Sequence, residues 1–205
     1  MKVQEAIKKR RTLKVLAKTN TISRDISGDM AEILEMGNAA PFHYVNSKAA
    51  DKELTSLAPW RFYVLDGAVC GKLADYLVNN GIAAGKIIDM LRAAQSVIQV
   101  TWMPEASEEK NFVKQSINIE HVSATAAAVQ NMLLTATSLG YENYWSSGGV
   151  LREDRFKAMF EIPLDEELLA SVFLFDTKTE NFKIKKGALR GRQGTIAQCS
   201  KDVKL

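Results

Sequence analysis

Cysteine and histidine are scarce in this chain of 205 residues. Only Cys70, Cys199, His43 and His121 occur, too far apart to share a metal-ligand spacing, so no zinc site is expected. Cys70 lies in the apolar run AVCGKLADYL and reads as a small buried side chain rather than a nucleophile. Cys199 belongs to a polar tail. Long hydrophobic runs are missing too, because Asp89, Arg92 and Gln99 interrupt the most apolar regions before they reach the roughly 18 residues a membrane span needs. The amino terminus, MKVQEAIKKRR, carries acid, amide and basic residues where a secretory signal has its apolar centre. A soluble protein of the cytoplasm is the expectation, with no membrane partner. The surplus of charge is small: a net +3 does not support a nucleic-acid-binding module. Ready-made catalytic machinery is also lacking. There is no G-x-S-x-G elbow, no Walker phosphate loop, no G-x-G-x-x-G fingerprint and no H-E-x-x-H helix. Demanding chemistry on such a chain requires a bound cofactor, with the protein supplying position and electrostatics.

What is present is the composition of an ordinary globular domain, 46% hydrophobic and 25% charged, read as one unit over residues 1–205. Basic residues crowd at two places: Lys8, Lys9, Arg10, Arg11 and Lys14 near the start, and Lys183, Lys185, Lys186, Arg190 and Arg192 near the end. Two such clusters could converge on one anion. The periodicity predicts a short helix over 3–9 with Val3 and Ile7 on one face, and a second, capped by Asp25 or Ser27, that ends near Gly37. From Asn38 to Pro59 the pattern lapses, predicting a long ordered loop or lid, after which RFYVLD alternates as a strand. Helices are expected from Gly67 to Asn79 and from about Ala84 to Ala94, then a buried strand SVIQVTW ended by Pro104.

The strongest helical signal runs from Ser107 to Leu139, with Val122, Ala126, Val129, Leu133 and Ala136 spaced by four and three. Gly140 stops it. The small residues of SATAAAVQN permit close approach, equally by a partner subunit or by an element of the same chain. A short strand ENYW, a turn SSGG, a helix from about Arg152 to Phe160 and a strand LLASVFLF complete the chain. This mixed order predicts an α+β fold, a central sheet wrapped by helices.

Four segments in this order resemble the nitroreductase family. AIKKRRTLKVL carries Arg10, Arg11 and Thr12 in place of its R-R-S/T element. APFHY and PWRFYVL stand where the family has A-P-S and Q-P-W-x-F-x-V. AVQNMLLTATSLGYENYWSSGG is similar to its long core helix and following turn, and LRGRQG supplies Arg190 and Arg192 as its basic carboxyl-terminal pair. Together they span residues 6–192. The resemblance implies a nitroreductase-like central mixed sheet, a homodimer with the long helix at its interface, and FMN held between subunits.

It further implies that Arg10, Arg11, Thr12, Arg190 and Arg192 hold the FMN phosphate, whose charge suits the planar guanidinium fork. Pro41, Phe42 and His43 would line the flavin ring. Ser147, Gly148 and Gly149 would form the turn whose backbone donates to the flavin's reactive nitrogen. Activity would be ping-pong transfer of electrons from NAD(P)H to small acceptors such as nitroaromatics or quinones, the flavin carrying the chemistry without a catalytic side chain. Three departures bear on specificity: Phe42 replaces the family's serine, Ala58 its amide, and the loop from His43 to Pro59 is long. The alternative on this scaffold is a flavin-storing or flavin-sensing protein without turnover.

Overall fold

The computed structural model describes residues 1–21, 24–46, 54–105, 112–176 and 182–203. In chain order its strands are β1 (Leu13–Leu16), β2 (Trp60–Asp66), β3 (Ser96–Trp102), β4 (Glu142–Ser146), β5 (Glu167–Phe175) and β6 (Lys183–Lys186). Its helices are α1 (Val3–Lys9), α2 (Ser27–Asn38), α3 (Gly67–Asn79), α4 (Lys86–Ala93), α5 (Phe112–Leu139) and α6 (Asp154–Met159). Residues 107–111, expected to begin the long helix, and 47–53 of the expected lid fall outside the described residues.

β2, β3, β5 and β4 pair side by side in that order as an antiparallel sheet, and β1 pairs antiparallel with β6 in a separate ribbon. A parallel bridge between Thr12 and Asn143 joins the ribbon to the free edge of β4, and this gives the strand arrangement its mixed character. Side chains alternate across a sheet, and here both faces are covered. Val97, Phe173 and Phe175 point into one core with Leu73, Leu77 and Leu91 of α3 and α4. Ile98, Val172 and Leu174 point into a second with Ile33 of α2 and Val129, Met132 and Leu133 of α5. The lack of apolar–polar alternation in SVIQVTW and LLASVFLF follows from that double burial.

Local signals explain the helix ends. Asp25 Oδ1 accepts from the Ser27 amide at 2.8 Å, and Asp66 caps α3 by accepting from Val69 at 2.7 Å. α2 lies along α5 closely enough that a Cβ on Gly37 would stand 2.7 Å from the Met132 side chain. The predicted stripe of α5 is rotated. Val129, Leu133 and Ala136 are buried, but Val122 and Ala126 are only half-buried, and the inner face is completed by His121, Ala124, Thr125, Ala128 and Met132. Ala124 and Ala128 pack against Ala40, Ala58 and Trp60 of the same chain, so these small residues admit an intrachain neighbour. α1 also differs from expectation: Ala6 is its buried residue, whereas Val3 and Ile7 face outward. The helix expected near Arg152–Phe160 is divided into a 3-10 turn at Gly149–Arg152 and α6.

Phe173 is fully buried and stacks on Phe175 at 6.0 Å between centroids. Phe173→Ala should lower the unfolding free energy by about 3–5 kcal/mol, measured by urea denaturation; a loss below about 1 kcal/mol would contradict this packing. Cys70 is sealed in the same core, and burial, reinforced by the charge of Asp66, pushes its thiol up to about 12. At about pH 8, below the ordinary thiol pKa, Cys199 alone should react with an aromatic disulfide reagent in the native protein. Both thiols should react after unfolding. Rapid native modification of Cys70 would show that the α3 core opens.

Candidate functional site

The antiparallel ribbon brings the two ends of the chain together. Leu13 pairs with Lys186 and Leu16 with Lys183, and the Gly187 amide donates to the Thr12 carbonyl at 2.8 Å. The two basic clusters therefore meet. Arg10, Arg11, Thr12, Lys186 and Arg190 line one cavity of about 480 Å³, with Gln130 of α5 on its wall. Arg10 is half-buried, and burial, together with the neighbouring charge of Arg190, holds its pKa below the usual arginine value. Among the described residues, the carboxylates that form ion pairs do so elsewhere, with Lys18, Arg24, Arg92, Arg155 and Lys157. The cavity thus concentrates positive charge without an acidic partner, an arrangement that stabilises an anion.

The individual residues contribute differently. Arg190 donates to the carbonyls of Arg10 and Ile7, satisfying the open C-terminal end of α1. It offers the cavity its charge, with part of its donor fork already used. Arg192 is exposed and is not among the residues lining this cavity.

Pro41, Phe42 and His43 lie elsewhere, on the exposed segment after α2. Phe42 meets Trp60 edge-on at 5.5 Å, and His43 lies 4.5 Å from Tyr44. The Ser147–Gly149 turn is a third location, at the end of β4, and within one chain neither it nor the Phe42 segment lines the basic cavity. Gly148 has φ 96°, and a Cβ there would stand 2.6 Å from Leu168. The chain's own backbone and packing therefore require glycine at 148, independently of any ligand. The Gly148 amide donates to Ser146 Oγ at 3.2 Å, while Ser147 is exposed.

Lys14, which the sequence reading placed in the amino-terminal basic cluster without a role of its own, is not among the residues lining the cavity. Leu13 and Val15 are buried, so alternation along β1 turns Lys14 away from the core. Its ammonium lies 4.7 Å from the centre of the Tyr144 ring. It thus rests on β4, the strand that leads to the Ser147 turn. The signal was available in the L-K-V-L alternation, but it became spatial only once β1 lay beside β4. His121 is buried, its Nδ1 3.3 Å from the Met103 carbonyl, and it belongs to the α5 packing. No cluster of metal ligands and no helix long and apolar enough to cross a membrane occurs among the described residues.

Comparison with known proteins gives one family model, "Nitroreductase family", over residues 7–174. No curated protein matches. Among solved structures, a nitroreductase-like family protein from Bacillus cereus is 20% identical with TM-score 0.67, covering 100% of this chain and 97% of its own. A protein from Desulfovibrio desulfuricans, described as a nitroreductase in complex with FMN, is 20% identical with TM-score 0.63, covering 100% and 98%. Nitroreductase CinD from Lactococcus lactis, in complex with nicotinic acid, is 14% identical with TM-score 0.64, covering 95% and 99%. These likenesses concern the fold. With the family model matching most of its length and both basic clusters brought to one cavity, the chain belongs to the nitroreductase family.

Proposed function

We propose that this chain is an FMN-dependent oxidoreductase that takes electrons from NAD(P)H and delivers them, by a ping-pong mechanism, to small acceptors such as nitroaromatics or quinones. The reading includes one FMN-binding domain over residues 1–205, working as a homodimer in the cytoplasm. Its main support is the basic cavity, where Arg10, Arg11 and Arg190 stand together without a carboxylate. A phosphate monoester, with nearly two negative charges, matches that donor set. When bound, the flavin supplies the redox chemistry; the chain supplies binding, orientation and charge.

In this reading Arg10 and Arg11 hold the phosphate, and Thr12 adds its hydroxyl. Arg190 neutralises charge while fixing the end of α1, and Arg192 approaches from the exposed tail. Lys14 places a fixed cation near the ring, where it favours negative charge. The Ser147–Gly149 backbone contacts the ring edge, and Pro41, Phe42 and His43 form an apolar and aromatic wall. A single chain leaves that wall apart from the cavity, which supports a site completed by a second copy. Val3 and Ile7 of α1, Met36 of α2 and Ile119 of α5 are exposed apolar residues of the kind a dimer interface covers.

The direct test is the visible spectrum of the purified protein, followed by steady-state NADPH oxidation with an added quinone. A flavin band with turnover is expected. FMN without turnover would identify a storage or sensing protein, and absence of FMN binding would remove the proposal. Arg10→Ala should raise the FMN dissociation constant about tenfold or more, since a charge-assisted hydrogen bond contributes about 1.5–3 kcal/mol; an unchanged constant would move the phosphate elsewhere. Ile119 is 68% exposed in one chain, so Ile119→Glu should leave the monomer folded yet weaken the dimer. Light scattering reads the outcome, and an unaltered dimer would take this part of α5 out of the interface.

A further inference from the structure

β4 ends with Ser146 opposite Ser171 of β5, and the chain then turns through Ser147, Gly148 and Gly149. Ser146 and Gly148 are buried, whereas Ser147 and Gly149 are exposed. The Gly148 amide donates to Ser146 Oγ at 3.2 Å, the local bond by which a serine hydroxyl holds a turn two residues on. The Ser147 carbonyl accepts from Arg152 Nη1 at 2.9 Å. That carbonyl and the Gly148 amide belong to one planar peptide unit. A hydroxyl from the strand before the turn and a guanidinium from the 3-10 turn after it therefore grip opposite edges of the same plate.

Packing removes the remaining freedom. A Cβ on Gly148 would stand 2.6 Å from Leu168 and 3.0 Å from the stem of Arg152, and one on Gly149 would stand 2.7 Å from Ile87. The amide one peptide earlier is placed differently. Among the described residues the Ser147 N–H has neither a backbone nor a side-chain acceptor, and the residue faces outward. Ser147 is thus held from both sides, by the β4 ladder before it and by the locked plate after it, while its own donor stays open. A donor whose orientation the fold has already fixed is the kind that stabilises developing negative charge most.

We propose that Ser146 and Arg152 are positioning residues for the flavin: they lock the Ser147–Gly148 peptide and so aim the Ser147 amide, rather than the Gly148 amide, at the ring edge. The inference rests on the flavin reading above and adds to it two side chains that do not line the phosphate cavity. Without the Ser146 hydroxyl the Gly148 amide is released, the plate can rotate, and Ser147 loses its anchor on one side. Reduction brings negative charge onto the ring, so a well-aimed donor favours the reduced over the oxidised form. A loosened plate therefore weakens the hold on reduced FMN and leaves the phosphate contacts as they were.

The test compares the flavin-loaded full chain with its Ser146→Ala and Arg152→Met variants and the double variant. Ser146→Ala should keep the parent's dissociation constant for oxidised FMN and bind reduced FMN about tenfold less tightly, a fall of about 30 mV in the two-electron midpoint potential. Because both side chains hold one peptide unit, the double variant should shift the potential by less than the sum of the single shifts. Amide hydrogen exchange followed by NMR in the flavin-stripped chain gives a reading without cofactor: Gly148 should be protected, and should exchange about tenfold faster or more in Ser146→Ala. The proposal is overturned if Ser146→Ala holds FMN at the parent's potential, if the two shifts simply add, or if Gly148 exchange does not change. A parent that binds no FMN would remove the flavin reading and this role with it, and Gly148 exchange would still report whether the clamp exists.

Discussion

The pairing of β3 with β5 leaves neither face of the sheet to water, and the rest of the molecule is arranged around that constraint. Val97 and Phe173 face one side, Ile98 and Val172 the other, all fully buried. Each such side chain contributes about 1.5–3 kcal/mol only if both faces are covered. The chain meets this requirement with α3 and α4 on one face and α2 with α5 on the other. α5 extends to 28 residues, long enough to cross the sheet and continue beside α1. Its small residues at Ala124 and Ala128 let the Trp60 region settle on it.

The same register produces a polar row. Tyr63 pairs with Gln99, Gln99 with Ser171 and Ser171 with Ser146, so one line across all four strands carries polar side chains, and Arg61 and Thr101 on the same face add to it. The next row, Leu65, Val97, Phe173 and Tyr144, is apolar or aromatic. Within the polar row Ser171 donates to Gln99 at 2.6 Å and Ser146 accepts from Gly148, while Gln99 Nε2 finds no hydrogen-bond partner among the described residues. Buried polar groups are costly unless satisfied, so this end of the sheet trades stability for definition. It fixes the exit of β4, where the glycine turn begins, and it surrounds the Glu166 carboxylate through Tyr63 and Thr101.

The meeting of the termini is a comparable trade. The β1–β6 register sets Lys14 beside Lys185, and burial, with the neighbouring charge of Arg190 second, holds Arg10 below its usual pKa. Backbone pairing and the bonds from Arg190 to the end of α1 offset that repulsion.

Much of this was legible in the sequence. Apolar periodicity located the strands at SVIQVTW and LLASVFLF and the long helix ending before Gly140, because a buried element must present apolar residues at its own repeat. The ordered motifs from Arg10 to Arg192 carried the family, since their spacing reflects one fold. The rotation of the α5 stripe, the outward Val3 and Ile7, and the division of the helix near Arg152 were not legible, because each depends on which neighbour a residue finds. Composition named both basic clusters, but only the β1–β6 register decided that they share a cavity and that Arg190 also serves α1. Glu166 carries no distinguishing signal in the sequence. Its burial beneath Tyr63 and Thr101 was decided by contacts between residues 103 and 65 positions apart, and a local sequence pattern carries no record of such distant partners.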